Sequence, residues 1–267
     1  MISAGISLAM IFEKIVSDIR FFWSALFSEY HGTIAGMPTY RLADPAPTPT
    51  DAYLKTLDPL VYQLLHNRQL TATAEVEAFL APDYEAHLHD PATLHDMEKA
   101  VGRILAAVAT DEQIAIFSDY DCDGIPGAVV LHDFFREVGV TNFTNYIPHR
   151  HYEGFGLSVS AVEKLAEQGA QLIVTIDCGS TDAEAVARAN ELGVDVIITD
   201  HHEPGPQLPK ASAVVNPKLG DYAFPDLCGA AVVFKLVQSL IATGEFTLKP
   251  GWEKWWLDMV GVATIAD

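Results

Sequence analysis

Positive charge is scarce in this chain: 16 lysines and arginines stand against 36 aspartates and glutamates, a formal net charge of −20. That excludes a protein gripping nucleic acid through a broad basic face, because phosphate contacts need lysine and arginine. A nucleic-acid substrate would have to be held locally, at metal ions and a few cations. Cysteine is also sparse, at three: Cys122, Cys178 and Cys228. Their spacing fits no zinc site and nothing demands a disulfide, so they are expected to fill space as small buried residues in a reducing cytoplasm. Long apolar runs are missing too. Residues 6–12 and 21–27 are apolar, but Glu13, Lys14, Asp18 and Arg20 interrupt them, and a membrane span needs roughly 20 residues. No basic segment precedes a long apolar stretch, which argues against a secretory signal. Residues 1–36 read either as an amphipathic helix or as a leader upstream of a true start at Met37.

What is present is a foldable chain. Of its 267 residues 49% are apolar and 19% charged, enough for one large or two modest domains with a real core. Residues 43–50, rich in proline and threonine, read as an extended linker. Helical spacing follows over 51–67 and 73–80, the latter with Thr73 placed to start a capped helix. A further helix is expected over 94–108, with Met97, Val101, Ile104, Leu105 and Val108 on one face. From residue 113 the pattern alternates. Strands are expected near 113–118, 143–147, 171–176, 194–199 and 212–215. Helices are expected near 125–138, 158–168, 181–192, 229–243 and 252–263. This predicts an α/β, Rossmann-like parallel five-stranded sheet covered on both faces over 111–267, behind a small helical lead-in over 37–110.

In such folds, sites form at the carboxyl ends of strands. Three predicted strands end in metal-ligand residue types. The first runs into Asp119-Tyr120-Asp121-Cys122-Asp123-Gly124, the third into Asp177-Cys178-Gly179, and the fourth into Asp200-His201-His202. Taken singly these are ordinary: an Asp-rich turn capping a helix, a strand-end carboxylate, a surface histidine pair. Taken together they crowd carboxylates and imidazoles on one rim, which is costly without a cation between them. Carboxylate oxygen with imidazole nitrogen suits Mn²⁺ or Mg²⁺, and shared carboxylates suit two ions. A metal-dependent hydrolase of phosphate esters is the expectation. Asp267 or Asp258 would complete the site, Asp258 reading more naturally as a local helix residue. Arg150, Gly154, Gly156 and Lys218 follow other strands and are weaker candidates for holding substrate phosphate.

These segments, with residues 261–267, resemble the DHH phosphoesterase superfamily. The RecJ branch of single-strand-specific 5′→3′ DNA exonucleases is the nearest fit. That narrower resemblance rests on Leu64-Leu65-His66-Asn67-Arg68, Leu88-His89-Asp90-Pro91, Asp96-Met97-Glu98-Lys99-Ala100-Val101, Tyr146-Ile147-Pro148-His149-Arg150, residues 152–158, His202-Glu203-Pro204-Gly205 and Val215-Asn216-Pro217-Lys218. It covers about residues 40–267. The resemblance implies that Asp121, Asp123, Asp177, His201 and Asp267 bind two Mn²⁺ or Mg²⁺ ions, with Asp119 and Asp200 in support and His202 beside the scissile phosphate. It implies hydrolysis of single-stranded DNA by metal-activated water, and partners among single-strand-binding and helicase proteins. A phosphodiesterase of short oligonucleotides or cyclic dinucleotides, or a non-catalytic scaffold, are the alternatives. Ser118 stands where glycine is usual, Pro126-Gly127 where threonine or serine is usual, and Cys228 where serine or alanine is. The family's second domain and the oligonucleotide-binding domain are expected beyond this fragment.

Overall fold

The computed structural model describes residues 43–267; the expected leader 1–36 and Met37 lie outside them. The chain divides into two units, Met1–Pro82 and Asp83–Asp267. In the first, a short turn at Leu54–Thr56 precedes α1 (Pro59–Asn67) and α2 (Thr73–Leu80), packed about buried Leu54, Leu65 and Val76. The single helix expected over 51–67 is broken because Pro59 lacks an N–H and suits only a first helical position. Asp58 caps α1 there by accepting from Leu60 N–H at 2.8 Å. Helix α2 begins at Thr73 as the pattern predicts, but the capping contact is Glu75 accepting from Ala72 N–H at 3.3 Å. The 43–50 linker is irregular and is held to α1 by Gln63, which accepts from Ala46 N–H and donates to the Asp44 carbonyl.

The second unit opens with one helical turn, α3 (Tyr84–His87), and then α4 (Met97–Ala109). Five strands follow: β1 (Ile114–Ser118), β2 (Phe143–Tyr146), β3 (Leu172–Ile176), β4 (Asp195–Thr199) and β5 (Ala213–Val215). Between and after them lie α5 (Gly124–Glu137), α6 (Val159–Glu167), α7 (Ala183–Glu191), α8 (Gly229–Thr243) and α9 (Leu257–Ala266). The helix expected over 252–263 is instead a 3₁₀ turn, Trp252–Trp256, feeding α9. The sheet is wholly parallel, in the order β2-β1-β3-β4-β5. That order reverses between β1 and β3, where a doubly wound sheet opens a crevice.

Side-chain alternation sorts the sheet into two cores. Ile114, Ile116, Leu172, Val174, Ile197 and Ala213 face a layer built with α4, α5 and α8. Ala115, Phe117, Ile173, Val196, Ile198 and Val214 face α6 and α7. Burial on both sides explains why these strands read as continuous apolar runs. Register also aligns the strand ends. Ser118 pairs with Ile176, Ile176 with Thr199, and Thr199 with Val215. The next residue of each strand, Asp119, Asp177, Asp200 and Asn216, therefore falls on one line along the rim.

Phe134 of α5 is buried in the first core, edge-on to Phe246 and Trp256 at centroid distances of 5.4 and 6.4 Å. Phe134→Ala should destabilise the protein by about 3–5 kcal/mol in urea unfolding, from lost transfer energy and an unfilled cavity.

Candidate functional site

The rim carries four buried carboxylates, Asp119, Asp123, Asp177 and Asp200. Each must be compensated or stay protonated. Asp200 is compensated within the protein. Its Oδ1 accepts from His201 N–H, His202 N–H and His202 Nδ1, and its Oδ2 accepts from Ser180 N–H, at 2.8–3.1 Å. Burial opposes its ionisation, yet these bonds, led by His202, hold it well below the usual carboxylate range. In return Asp200 raises His202 to about 9. Asp123 is compensated by α8, whose first N–H groups, Gly229 and Ala230, donate to its carboxylate at 2.5 and 2.7 Å. A carboxylate at a helix N-terminus meets both free donors and a favourable dipole.

Asp177 has no such relief. It is 2% exposed, and its backbone adopts φ +61°, unusual for a residue with a side chain. It sits against α8: a Cβ on Gly229 would lie 2.7 Å from Asp177 Cβ and Oδ1, so only glycine admits the approach. Desolvation pushes its carboxyl up to about 7, with His201 partly offsetting and Asp123 adding to the rise. His201 Nε2 approaches Asp177 Oδ1 to 3.1 Å and Asp123 Oδ2 to 3.5 Å. Yet neither Asp177 Oδ1 nor His201 Nε2 has a hydrogen-bond partner of acceptable geometry, and Asp119 Oδ1 is likewise unpartnered. Burial works against charging His201, but Asp177 outweighs it and raises the imidazole. Close, buried lone pairs converging without a hydrogen bond are what a cation site requires.

Three donor groups have ligand atoms within 4.8 Å of one another: Asp177, His201 and His202; Asp123, His201 and Asp267; and Asp119, Asp121 and Asp177. They share Asp177 and His201, an arrangement suited to more than one ion. Asp121 is exposed, and its Oδ1 accepts from Asp123 and Gly124 N–H, shaping the loop. Gly124 is needed there, since a Cβ would lie 2.6 Å from the Asp119 carbonyl oxygen. Asp267 Oδ2 lies 3.8 Å from His201 Nδ1. Asp258 stands apart, accepting from Met259 N–H at the start of α9 beside Trp255, in none of these donor groups.

The weaker candidates divide. Arg150 lies 4.9 Å over the Tyr120 ring, next to the first cluster. Lys218 pairs with Glu203 at 3.1 Å. Gly154, at φ +80°, has open space about it. Gly156 is buried against Asp182, which takes Leu157 N–H at 2.7 Å, so this stretch of backbone is already engaged. Asp182 escaped sequence reading, and Asn216 entered it only as part of a motif, without a role. Asp182 is a half-buried carboxyl raised by desolvation. Asn216 donates to Ser180 Oγ and the His202 carbonyl, tying β5 to the histidine turn. The signals available were the place of Asp182 just before α7 and that of Asn216 directly after β5. Cys178 and Cys228 are buried as expected, but Cys122, on the Asp121–Asp123 loop, is exposed. Among the described residues no helix is long and apolar enough to cross a membrane.

Fold and rim define a doubly wound α/β protein with an acidic-histidine metal-type site at its topological switch. The model of the DHH family, N-terminal domain, matches residues 113–264, and the chain belongs to that family. It is 38% identical over 214 residues to the single-stranded-DNA-specific exonuclease RecJ of Bacillus subtilis (strain 168), covering 79% of this chain and 26% of that protein. A crystal structure of exonuclease RecJ bound to manganese superposes with a TM-score of 0.59 at 32% identity, over 65% of this chain and 43% of that one. RecJ from Thermus thermophilus in complex with Mn²⁺ gives 0.63 at 28% identity, over 78% of this chain and 28% of that one. The chain thus spans about a quarter to two fifths of the length of the curated relatives it matches.

The His202–Asp200 pair makes a pH prediction. His202 has a raised folded pKa, so its contribution is fully present below its ordinary value of 6.5 and is lost as pH rises through about 9. NMR titration should find His202 titrating near 9, and Asp200→Asn should return it toward 6.5 and remove that stability.

Proposed function

We propose that this chain is the phosphodiesterase core of an exonuclease hydrolysing single-stranded DNA from its 5′ end, with Mn²⁺ or Mg²⁺ as cofactor. One observation carries the reading: the buried, unpartnered Asp177 Oδ1 and His201 Nε2, 3.1 Å apart, at the junction of the three donor groups. The manganese-bound RecJ structures that it resembles support the choice of metal. Asp121, Asp123, Asp177, His201 and Asp267 would hold two ions, with Asp119 in support and Asp258 outside the set. When bound, such ions polarise the phosphoryl group and make a water acidic enough to attack at neutral pH.

The chain's own residues do the rest. Asp123 is oriented by the N-terminus of α8, and Asp177 is aimed by its left-handed backbone. His202, clamped through Nδ1 by Asp200, keeps Nε2 for the substrate phosphate and carries positive charge there. Arg150 and Lys218 are the cations available to neighbouring phosphates, and Gly154 leaves its backbone accessible. No side chain is required as a covalent nucleophile. On this reading the protein works in the cytoplasm, in DNA repair and recombination, with single-strand-binding and helicase proteins as its partners.

With Mn²⁺ the protein should release mononucleotides from single-stranded DNA bearing a free 5′ end. Asp177→Ala should lower the rate about a hundredfold or more, while Asp258→Ala leaves it unchanged; a folded protein releasing nothing under Mn²⁺ overturns the reading. Protons also compete with metal. Because Asp177 is raised to about 7 and ligation needs the ionised carboxylate, Mn²⁺ affinity by calorimetry should tighten about tenfold between pH 6 and 8.

A further inference from the structure

The 3₁₀ turn that feeds α9 lines, together with the carboxyl end of α5, a cavity of about 540 Å³. Gly251, at φ +78°, opens that turn, and Trp252, Trp255 and Trp256 line the cavity. Trp256 is the buried member, edge-on to Phe134. Trp255 is 75% exposed. The residues between them hold the turn from elsewhere. Glu253 accepts from the Tyr84 hydroxyl at 3.1 Å, and Lys254 pairs with Glu85 at 2.7 Å. An indole on a turn anchored in this way stands in water at a cost, which a ligand covering it removes.

The rest of the lining is acidic. Asp133 and Glu137 of α5 line the cavity with Asp258 of α9, and Arg136 is the cation beside them. Three carboxylates thus stand against one guanidinium. Asp258 is engaged by Met259 N–H. Among the described residues, the side chains of Asp133, Arg136 and Glu137 take part in no hydrogen bond or ion pair. Like charges four residues apart on a helix repel, and the carboxyl end of α5 adds its own negative pole. A cation relieves both.

The spacing of the acids selects the kind of cation. Unlike the rim acids, these three do not bring their ligand atoms within 4.8 Å of one another, so they do not converge on a single metal ion. They suit an extended cation whose charges are separated by an apolar stem. Ammonium groups are also attracted to indole faces. The volume falls in the range of small-ligand sites and is a hollow, whereas a protein partner covers a broad patch. We propose that this cavity binds an aliphatic polyamine, its ammonium groups against Asp133, Glu137 and Asp258 and its methylene chain on Trp252 and Trp255. Helix α5 starts at the rim with Gly124, so Glu137 lies about 20 Å away by helical rise. The site is therefore separate from the phosphodiesterase centre and does not depend on that reading.

Three of the chain's four tryptophans line the cavity, so their emission reports its occupancy. The test titrates spermidine into the whole chain, with excess Mg²⁺ present to occupy the rim and screen the acidic surface. Tryptophan emission should change saturably, and calorimetry should give a 1:1 stoichiometry. Trp255→Ala should weaken binding roughly fivefold, and Trp255→Phe should recover most of that loss. Asp133→Asn/Glu137→Gln should weaken it roughly tenfold. All three side chains are exposed, so these variants should melt at the wild-type temperature. Asp177→Ala, at the rim, should leave spermidine affinity unchanged. Absence of saturable binding would overturn the proposal, as would unaltered affinity in the Trp255→Ala and Asp133→Asn/Glu137→Gln variants. Tighter binding of tetralysine than of spermidine would also overturn it, assigning the cavity to a basic segment of a protein partner.

Discussion

Four carboxylates are withdrawn from water along one sheet rim, and the protein does not compensate them equally. Asp200 is satisfied by Ser180, His201 and His202. Asp123 is satisfied by the first turn of α8. Asp177 is left beside a histidine nitrogen with no bond between them, and Asp119 keeps an unpartnered oxygen. A buried unpaired charge costs several kcal/mol, which explains the upward shift of Asp177 and Asp119. The uneven compensation divides the acids into those that build the site and those free to bind a cation.

The fold creates that division. Parallel pairing in register brings residues 119, 177, 200 and 216 onto one line although they are far apart in the chain. Two helices then press against the line. Helix α5 enters directly from the first cluster, which Gly124 permits, and α8 closes on Asp177 through Gly229. Gly127 lets α5 approach both the Ile176 side chain and the Ala230 backbone, so α5 packs closely on the strand tip and on α8. The small residues are there because backbone must reach the carboxylates.

The scarcity of basic residues gains a physical sense from this arrangement. Positive charge, in the proposed function, is supplied at one point by metal and by His202, with only Arg150 and Lys218 serving the neighbouring phosphates. Such a protein can keep an acidic surface and still handle a phosphate chain. Lys235 shows how sparingly cations are used inside: burial lowers it to about 8, and its ammonium donates to the His89 carbonyl, fastening the segment before α4 to α8.

Local pattern alone determined the order of strands and helices, the two-sided burial of the sheet, and which strands end in acids and histidines, because apolar periodicity and residue type are properties of neighbours in the chain. The break at Pro59 is legible in the same terms, although the helical spacing on either side of it masks it. Tertiary structure alone decided which acid is compensated by which donor, since that depends on α8 arriving beside Asp123 and Asp177 from more than 50 residues away. It also decided the left-handed turn of Asp177, the exclusion of Asp258 from the donor groups and the posting of Phe155 next to His202. Those are facts of distance and desolvation, which exist only once remote segments have been packed against each other.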